Sequence, residues 1–216
     1  RTSLMFCMTA DKERPCTSFA VTSAKPSEGK SLTAANIAIS YAMLGKKVLL
    51  IDADMRKPTQ RRLWRVEKPT GLCDFLAKIS KLELDKVKDL PLWIVCTGTI
   101  PPNPSELLSS ERMKHFVEES AKVYDYIIID TPPINTVADA QIVSTYVDGV
   151  VLVVKSGDTT EDELNEAIDA VRRAGGNLCG TVLNDLNMKS VKYAYKYKYG
   201  GKYGYKYSYS ESYEAR

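Results

Sequence analysis

Residues 18–45 have the sequence SFAVTSAKPSEGKSLTAANIAISYAMLG, and this stretch decides the fold. Its first six residues are small, apolar or β-branched, which favours a short buried strand. Apolar residues then recur at helical spacing from Ser31 to Leu44, and Gly45 follows as a helix stop. Between strand and helix lies the loop Ala24–Ser31, AKPSEGKS. A loop that leads directly into a helix N-terminus presents backbone N–H groups to an anion.

The following residues continue the alternation of strands and helices. Short runs rich in β-branched and apolar residues predict further buried strands, namely KVLLID, LWIVCT, YDYIIID, VVLVVK and LCGTVLN. Ser105–Lys122 and Thr160–Ala174 have helical spacing and open with a Ser or Thr near acidic residues. The pattern predicts an α/β fold with a mostly parallel central sheet and helices on both faces. Ligands of such sheets bind at the carboxyl ends of the strands.

The composition fits one domain of a cytoplasmic protein. The 216 residues, 44% of them hydrophobic, are enough for one packed core but few for two. No apolar run approaches the roughly 18 residues of a membrane span, and no signal peptide is visible. The five cysteines are scattered without a C-x-x-C pair, which favours reduced thiols over a metal or redox role. His115 is alone on a helix-like stretch, and we expect a solvated or capped side chain there.

Residues 188–216 differ from the rest of the chain in charge and in tyrosine content. They carry seven basic and two acidic residues, a net charge of +5, in a chain whose net charge is +3. Nine of the 13 tyrosines lie between Tyr193 and Tyr213, alternating with Lys, Gly and Ser. We therefore predict a folded domain over 1–187 and a flexible tyrosine-rich tail over 188–216. By itself the tail also fits a β-hairpin around Gly200 and Gly201, or a sticky arm that binds nucleic acid.

The loop AKPSEGKS matches the phosphate-binding pattern, with Ala24 in place of the leading Gly. Gly29 lets the backbone approach a phosphate, whose oxygens are then cradled by successive N–H groups. Lys30 places a positive charge on the β and γ phosphates, and the Ser31 hydroxyl can ligate Mg²⁺. The position between a strand and a helix favours nucleotide binding over a chance Gly-containing turn. The predicted nucleotide-binding residues of this segment are Lys25, Pro26, Ser27, Glu28, Gly29, Lys30, Ser31 and Leu32.

Three aspartates lie at the ends of predicted strands. Asp52 and Asp54 belong to VLLIDAD, and Asp130 ends YIIID. Mg²⁺ prefers hard oxygen ligands, and a carboxylate can accept a proton from an attacking hydroxyl. One such Asp alone would be explained as a turn or helix cap. Three of them beside a phosphate-binding loop predict a catalytic site.

Several segments together carry a resemblance that covers essentially the whole chain. They are the loop, Asp-x-Asp-x-Arg (Asp52–Arg56), PPNPSELLSS (Pro101–Ser110), IIIDTPP (Ile127–Pro133) and the tyrosine-rich tail. In these segments the chain is similar to the bacterial tyrosine kinases, cytoplasmic enzymes that regulate export of capsular and extracellular polysaccharide. The resemblance implies ATP and Mg²⁺ as cofactors and a modified P-loop ATPase site that phosphorylates tyrosine. The signatures of eukaryotic protein kinases are absent from the sequence.

The resemblance also implies roles for the three aspartates. Lys30 would contact the phosphates and Ser31 the Mg²⁺. Asp52 becomes the expected base for the incoming tyrosine hydroxyl. Asp54 would help to position the metal, and Asp130 would hold it directly or through water.

For Arg56 and for Asn184 the sequence leaves two interpretations open. Arg56 either neutralises a phosphate or anchors its loop through a structural ion pair. Asn184, after the last predicted strand, either contacts adenine or caps the strand.

Lys25 and the N-terminus depart from the family pattern. Lys25 lies five residues before Lys30, as does the signature lysine of the partition and septum-site ATPases. It therefore supports an alternative, an ATPase switch without kinase activity, unless it is a surface lysine. Arg1 looks like the last residue of the family's N-terminal oligomerisation helix, and we interpret it as a trimmed start. The homo-oligomeric ring of the family is expected to be weakened accordingly.

On the kinase interpretation the tail is the substrate. Twenty-odd flexible residues span roughly 25–30 Å, enough to reach a neighbouring active site. The predicted acceptors are Tyr193, Tyr195, Tyr197, Tyr199, Tyr203, Tyr205, Tyr207, Tyr209 and Tyr213. The resemblance further implies a transmembrane activator that holds the kinase at the inner membrane face, and a tyrosine phosphatase, with no nucleic acid as partner.

Overall fold

The computed structural model describes residues 17–186. The strands are β1 Thr17–Ser23, β2 Val48–Asp52, β3 Asp85–Lys86, β4 Leu92–Val95, β5 Tyr126–Asp130, β6 Gly149–Lys155 and β7 Leu178–Asn184. The helices are α1 Lys30–Ala42, α2 Gln60–Trp64, α3 Leu72–Leu76, α4 Pro104–Ser109, α5 Glu111–Ala121, α6 Asp139–Ser144 and α7 Glu161–Arg173.

One sheet contains all seven described strands, in the order β3-β4-β2-β5-β1-β6-β7. Its described pairs are parallel except for β3 with β4, which is antiparallel. Strand β5 lies between β1 and β2, and Asp130 is in register with both Val21 and Asp52. The carboxyl ends of β1, β2 and β5 therefore meet at one edge, which is where the predicted motifs lie.

Helices cover both faces of the sheet because the strands alternate their side chains between the faces. In β5, Ile127 and Ile129 pack on one side, and Ile128 packs on the other. Helix α1 covers the face of Ile128 through Ala34, Ala35, Ala38 and Tyr41. Helices α5, α6 and α7 cover the opposite face through Met113, Val117, Ala140, Val143, Ala167, Ala170 and Val171. The predicted fold class is confirmed.

The single helix predicted over Ser105–Lys122 was wrong. Ser110 adopts an extended conformation, with φ −66° and ψ 146°, and separates α4 from α5. Its hydroxyl accepts a hydrogen bond from the Met113 amide at 3.2 Å, so Ser110 is the N-cap of the second helix. The sequence also left α2, α3, α6 and β3 unpredicted, because elements of two to six residues carry too little periodicity to be recognised.

Within residues 17–186 no helix combines the length and apolarity that a bilayer crossing requires. The tail over 188–216 and its nine tyrosines lie outside the described residues, and so does Arg1. The division of the chain into a domain over 1–187 and a tail therefore stays a prediction. His115 lies on α5 with an exposed side chain 3.9 Å from Glu118.

Candidate active site

The loop between β1 and α1 needs glycine at its last position. Gly29 has φ +89°, and a Cβ there would lie 2.1 Å from Asn184 Nδ2. Helix α1 begins at Lys30 with no side-chain cap and no acidic residue in its first turn. Its N-terminal N–H groups therefore have no capping side chain, the condition in which a helix N-terminus can bind an anion.

The side chains of Glu28 and Asn184 form hydrogen bonds that hold this loop in place. The Glu28 carboxylate, which is buried, accepts hydrogen bonds from the Lys25 amide at 2.9 Å and from the Thr159 hydroxyl. Asn184 donates from Nδ2 to the backbone oxygen of Glu28 at 2.9 Å. Asn184 therefore touches the loop itself, which favours its structural interpretation over adenine recognition. The Glu28 side chain likewise forms a hydrogen bond within its own loop, with the Lys25 amide.

Lys25 is paired within its own chain. Its Nζ donates to the Asp158 backbone oxygen at 2.9 Å and lies 3.1 Å from Glu163 Oε2 in α7. The hydrogen bond to Glu163 is the main reason why the pKa of Lys25 lies above its usual value. Lys25 does not line the cavity described below.

Lys30 is the centre of a charged cluster at the carboxyl edge of the sheet. Its Nζ lies 2.7 Å from Asp54 Oδ2, 3.9 Å from Asp130 Oδ1 and 3.2 Å from the Ser31 hydroxyl. Burial by itself lowers the pKa of Lys30, but Asp130 and Asp54 outweigh it and hold that pKa above its usual value. Lys30 is therefore a cation among these carboxylates.

Asp52 and Asp130 lie side by side and are completely buried. Asp52 Oδ2 accepts hydrogen bonds from the amides of Thr59 at 3.2 Å and Gln60 at 2.9 Å. Burial first, and then the neighbouring Asp130, raise the pKa of Asp52 to about 8. Burial also raises the pKa of Asp130, against the opposing effect of Lys30. A carboxyl with a pKa near neutrality suits proton transfer.

Gln60 joins the two acidic motifs to the phosphate loop. Its Nε2 donates to Asp130 Oδ2 at 2.8 Å and to the Ser31 backbone oxygen at 2.9 Å. Its Oε1 accepts from Trp64 Nε1 at 3.0 Å. The side chain is fully buried and leaves Asp130 Oδ1 directed towards Lys30. The sequence analysis missed Gln60, because KPTQRRLW carries no motif that distinguishes this glutamine from a surface residue.

Arg56 forms a bidentate ion pair with Asp139, the first residue of α6. Nε lies 2.8 Å from Oδ2, and Nη2 lies 3.2 Å from Oδ1. Ser105, in the PPNPSELLSS segment, donates its hydroxyl to Asp139 Oδ1 at 2.6 Å. This geometry favours the anchoring interpretation of Arg56. Asp139, which the sequence analysis did not single out, is the buried partner.

A cavity of about 440 Å³ opens in front of the cluster. Its lining residues are Pro26, Ser27, Gly29, Lys30, Ser31, Leu32, Asp54, Arg56, Lys57, Thr59, Arg62, Leu63, Pro132, Pro133, Thr136 and Val137. Asp54 is on the cavity wall, whereas Asp52 and Asp130 lie behind it. The fold thus brings most of the predicted loop residues and Asp54 to one surface, and leaves Lys25, Glu28 and Asn184 outside it.

The oxygen atoms around Lys30 fit a magnesium ion. Within residues 17–186, Oδ1 of Asp52 and Oδ1 of Asp130 are buried without a hydrogen-bond donor. The Ser31 hydroxyl lies 3.2 Å from Lys30 Nζ, which in turn lies 3.9 Å from Asp130 Oδ1. Among residues 17–186 no group of three or more His, Cys, Asp or Glu side chains is arranged to hold a metal. Mg²⁺ commonly takes only one or two carboxylates and completes its shell with phosphate oxygens and water. The donor set present here is of that kind.

Comparison with known proteins shows the family to which the chain belongs. Residues 17–177 match the family model described as an AAA domain. The tyrosine-protein kinase YwqD of Bacillus subtilis is 43% identical over 198 residues, which are 90% of this chain and 82% of the relative. The chain belongs to the bacterial tyrosine-protein kinases. The resemblance inferred from the sequence is confirmed.

Solved structures place this tyrosine kinase chain in the same fold. The kinase domain of Escherichia coli tyrosine kinase ETK superposes with a TM-score of 0.82 at 32% identity, over 97% of this chain and 77% of that one. The Pyrococcus furiosus cell division ATPase MinD superposes with a TM-score of 0.65 at 20% identity, over 77% of this chain and 71% of that one. The likeness to MinD is one of fold alone, the P-loop architecture that the sequence predicts. A P-loop kinase site of this kind implies a bound nucleotide.

Proposed function

We propose that this chain is an ATP-dependent protein-tyrosine kinase that phosphorylates the tyrosine cluster of its own tail. The observation that carries the proposal is the juxtaposition of Lys30, Ser31 and Asp54 on one cavity wall, with Asp52 and Asp130 directly behind. An uncapped helix N-terminus completes the place for phosphates. The relatives named tyrosine-protein kinase support the activity.

Phosphoryl transfer in this site depends on positioning and on neutralisation of charge. The phenol oxygen attacks the γ-phosphorus, the bond from that phosphorus to the bridging oxygen of ADP breaks, and the phenol proton passes to a carboxylate. We assign the proton to Asp52, whose Oδ1 accepts no hydrogen bond within residues 17–186. Lys30 exchanges its partner Asp54 for the β and γ phosphates. When Lys30 moves from Asp54 to the phosphates, the carboxylates of Asp52, Asp54 and Asp130 become accessible to the acceptor tyrosine.

Magnesium belongs to the proposal as well. Ser31, Asp54 and Asp130 would hold it, with Asp130 Oδ1 as the buried oxygen that accepts no hydrogen bond. When bound, Mg²⁺ neutralises charge on the phosphates during transfer. Gln60 engages the other oxygen of Asp130, so that Oδ1 faces Lys30.

The acceptors and partners follow from the same family assignment. We propose that transfer occurs between subunits of a homo-oligomer, since a flexible tail reaches a neighbouring site. A transmembrane activator would hold the kinase at the inner face of the cell membrane. A tyrosine phosphatase would reset the tail, and the cycle would regulate polysaccharide polymerisation and export.

The partition-type ATPase is the second candidate, and Lys25 is the residue that separates the two. Such a switch uses its signature lysine on the phosphates of a partner subunit. Here Lys25 is held by Asp158 and Glu163 of its own chain. The pairing supports the kinase.

Mass spectrometry of the purified full chain with Mg²⁺ and ATP tests the proposal. We expect added phosphate on Tyr193–Tyr213, and none after Lys30→Met, because the phosphates lose their buried cation. Circular dichroism should show Lys30→Met to be folded. In Lys25→Ala we expect transfer to continue. Phosphate release from ATP with an unmodified tail, abolished by Lys25→Ala, would instead establish the ATPase switch.

A further inference from the structure

Two cations on the cavity rim have side chains without a partner in the described part of the chain. Lys57 and Arg62 both line the cavity that contains Lys30, and both are exposed. Neither side chain forms a hydrogen bond or an ion pair within residues 17–186, whereas their neighbours do. Arg56 binds Asp139, and Arg61 donates to the backbone oxygens of Val66 and Glu67.

Two exposed leucines lie on the wall of the same cavity. Leu32, in the first turn of α1, is 55% exposed, and Leu63, in α2, is 43% exposed. Single exposed leucines are ordinary on protein surfaces. Two in one cavity, beside the predicted phosphate site, supply an apolar platform that suits an aromatic ring. The cavity therefore combines an apolar wall with a cationic rim.

The tail contains one tyrosine that matches this combination. Glu211 and Glu214 are the only acidic residues in 188–216, and they flank Tyr213 two residues before and one residue after it. Tyrosines from Tyr193 to Tyr205 have Lys, Gly or Ala as immediate neighbours. Residues two apart in an extended chain are separated by about 7 Å, so both carboxylates stay near the ring. Tyr209 has Glu211 within two residues, and Tyr213 alone has an acidic residue on both sides. The charges around Tyr213 are therefore the most complementary to the rim.

We propose that Lys57 and Arg62, together with Leu32 and Leu63, form an acceptor site that selects a tyrosine with acidic neighbours. Its occupant is the segment Ser210–Glu214 of a second copy of this chain. Tyr213 is therefore the first tyrosine to be phosphorylated. The inference rests on the proposed kinase function and adds its substrate preference.

A time course of phosphorylation on the full chain tests the preference. Trypsin cleavage after Lys206 releases Tyr207–Arg216, and fragmentation assigns phosphate within it to Tyr213. We expect Tyr213 to be modified before Tyr193–Tyr205. Replacement of both acidic neighbours, Glu211→Gln with Glu214→Gln, should slow the phosphorylation of Tyr213 by roughly five- to tenfold. This factor corresponds to the loss of two partly exposed ion pairs. These changes leave the folded domain untouched.

Charge reversal on the rim gives the complementary measurement. Arg62→Glu should slow the phosphorylation of Tyr213 by a similar factor. Combining Arg62→Glu with Glu214→Lys should restore the rate of that phosphorylation. Lys46→Glu is the matched control, because Lys46 is exposed, lies outside the cavity and changes the net charge equally. An unchanged order of phosphorylation in Arg62→Glu, or in the double glutamine variant, would overturn the acceptor site while the kinase function stands. No phosphate on any tail tyrosine of the wild type would instead defeat the proposed function.

Discussion

The Arg56 side chain is 40% exposed, and yet its partner Asp139 is completely buried. A buried carboxylate without a cation is costly, so the bidentate pair with Arg56 and the hydroxyl of Ser105 are needed together. The pair joins the loop after β2 to the start of α6. Because the loop also carries Asp54, the ion pair of Arg56 with Asp139 bears on the position of Asp54 in the site.

Removing this cation should destabilise the domain more than removing a surface arginine. For Arg56→Ala we expect the free energy of unfolding to fall by about 2–4 kcal/mol, since Asp139 stays buried without its partner. The free energy of unfolding of Arg56→Lys should lie between those of the wild type and Arg56→Ala, because lysine cannot form the bidentate pair. Urea denaturation measures the three proteins. Arg61→Ala is the control, and equal losses in Arg56→Ala and Arg61→Ala would contradict the role of Asp139.

At the scale of elements, Asp74 connects helix α3 to the loop after β4. Its Oδ2 accepts hydrogen bonds from the Gly71 amide at 2.8 Å and the Thr99 amide at 3.0 Å. Gly98, with φ +79°, lets that loop pass within reach, since a Cβ there would lie 2.1 Å from the same oxygen. One carboxylate thus adds to the backbone hydrogen bonds from Leu72 to Cys96 and from Cys73 to Thr97 that join the two segments.

The pH dependence of stability should reveal this carboxylate. Burial by itself raises the pKa of Asp74, but the hydrogen bonds from Thr99 and Gly71 outweigh it and hold that pKa below its usual value. A lowered folded pKa contributes stability above the unfolded pKa of about 3.9, which is lost as the pH falls through the folded value. We expect Asp74→Asn to cost about 1–3 kcal/mol at pH 7, and much less at pH 3.

Urea denaturation at both pH values measures the difference between wild type and Asp74→Asn. Asp85→Asn is the matched control, because Asp85 pairs with the partly exposed Lys68 and should cost under about 1 kcal/mol. A cost of Asp74→Asn that does not change with pH would show that its charge is irrelevant.

At the scale of the whole molecule, the described hydrophobic core lies between the sheet and its helices, with a few loop residues such as Ala53 and Ile134. Its two clusters extend from Phe19 to Val182, one on each face. The proposed acceptor tyrosines, by contrast, lie in 188–216. The hydrophobic core and the proposed substrate segment thus lie in different parts of the chain. We expect removal of the tail to leave the folding and the kinase activity of the domain intact.

A mixing experiment tests both parts of this expectation. A protein ending at residue 187 should keep the melting temperature of the full chain, because the described core is intact. Added with Mg²⁺ and ATP to full-length Lys30→Met, it should phosphorylate the tail of the inactive protein. Lys30→Met alone is the control. An unmodified tail in the mixture, when the full wild-type chain does modify itself, would mean that transfer occurs within one subunit.

Most of the architecture and the centre of the site could be predicted from local sequence. The strand, loop and helix around AKPSEGKS have patterns that need only their neighbours. The position of Asp52 beside Asp130 also followed, because parallel strands bring their carboxyl ends to one edge. Short-range patterns therefore determined the fold class, the phosphate loop and the acidic cluster.

Only the tertiary structure decided which side chains support that cluster. Gln60 meets Asp130 70 residues away, Arg56 meets Asp139 83 residues away, and Asn184 meets the loop 156 residues away. A polar side chain in a loop has no periodicity, and its partner depends on where the packed strands and helices place both ends. The same packing turned Lys25 towards Glu163 of its own chain. Local propensity determines the elements, whereas long-range contacts exist only once the core has closed around them.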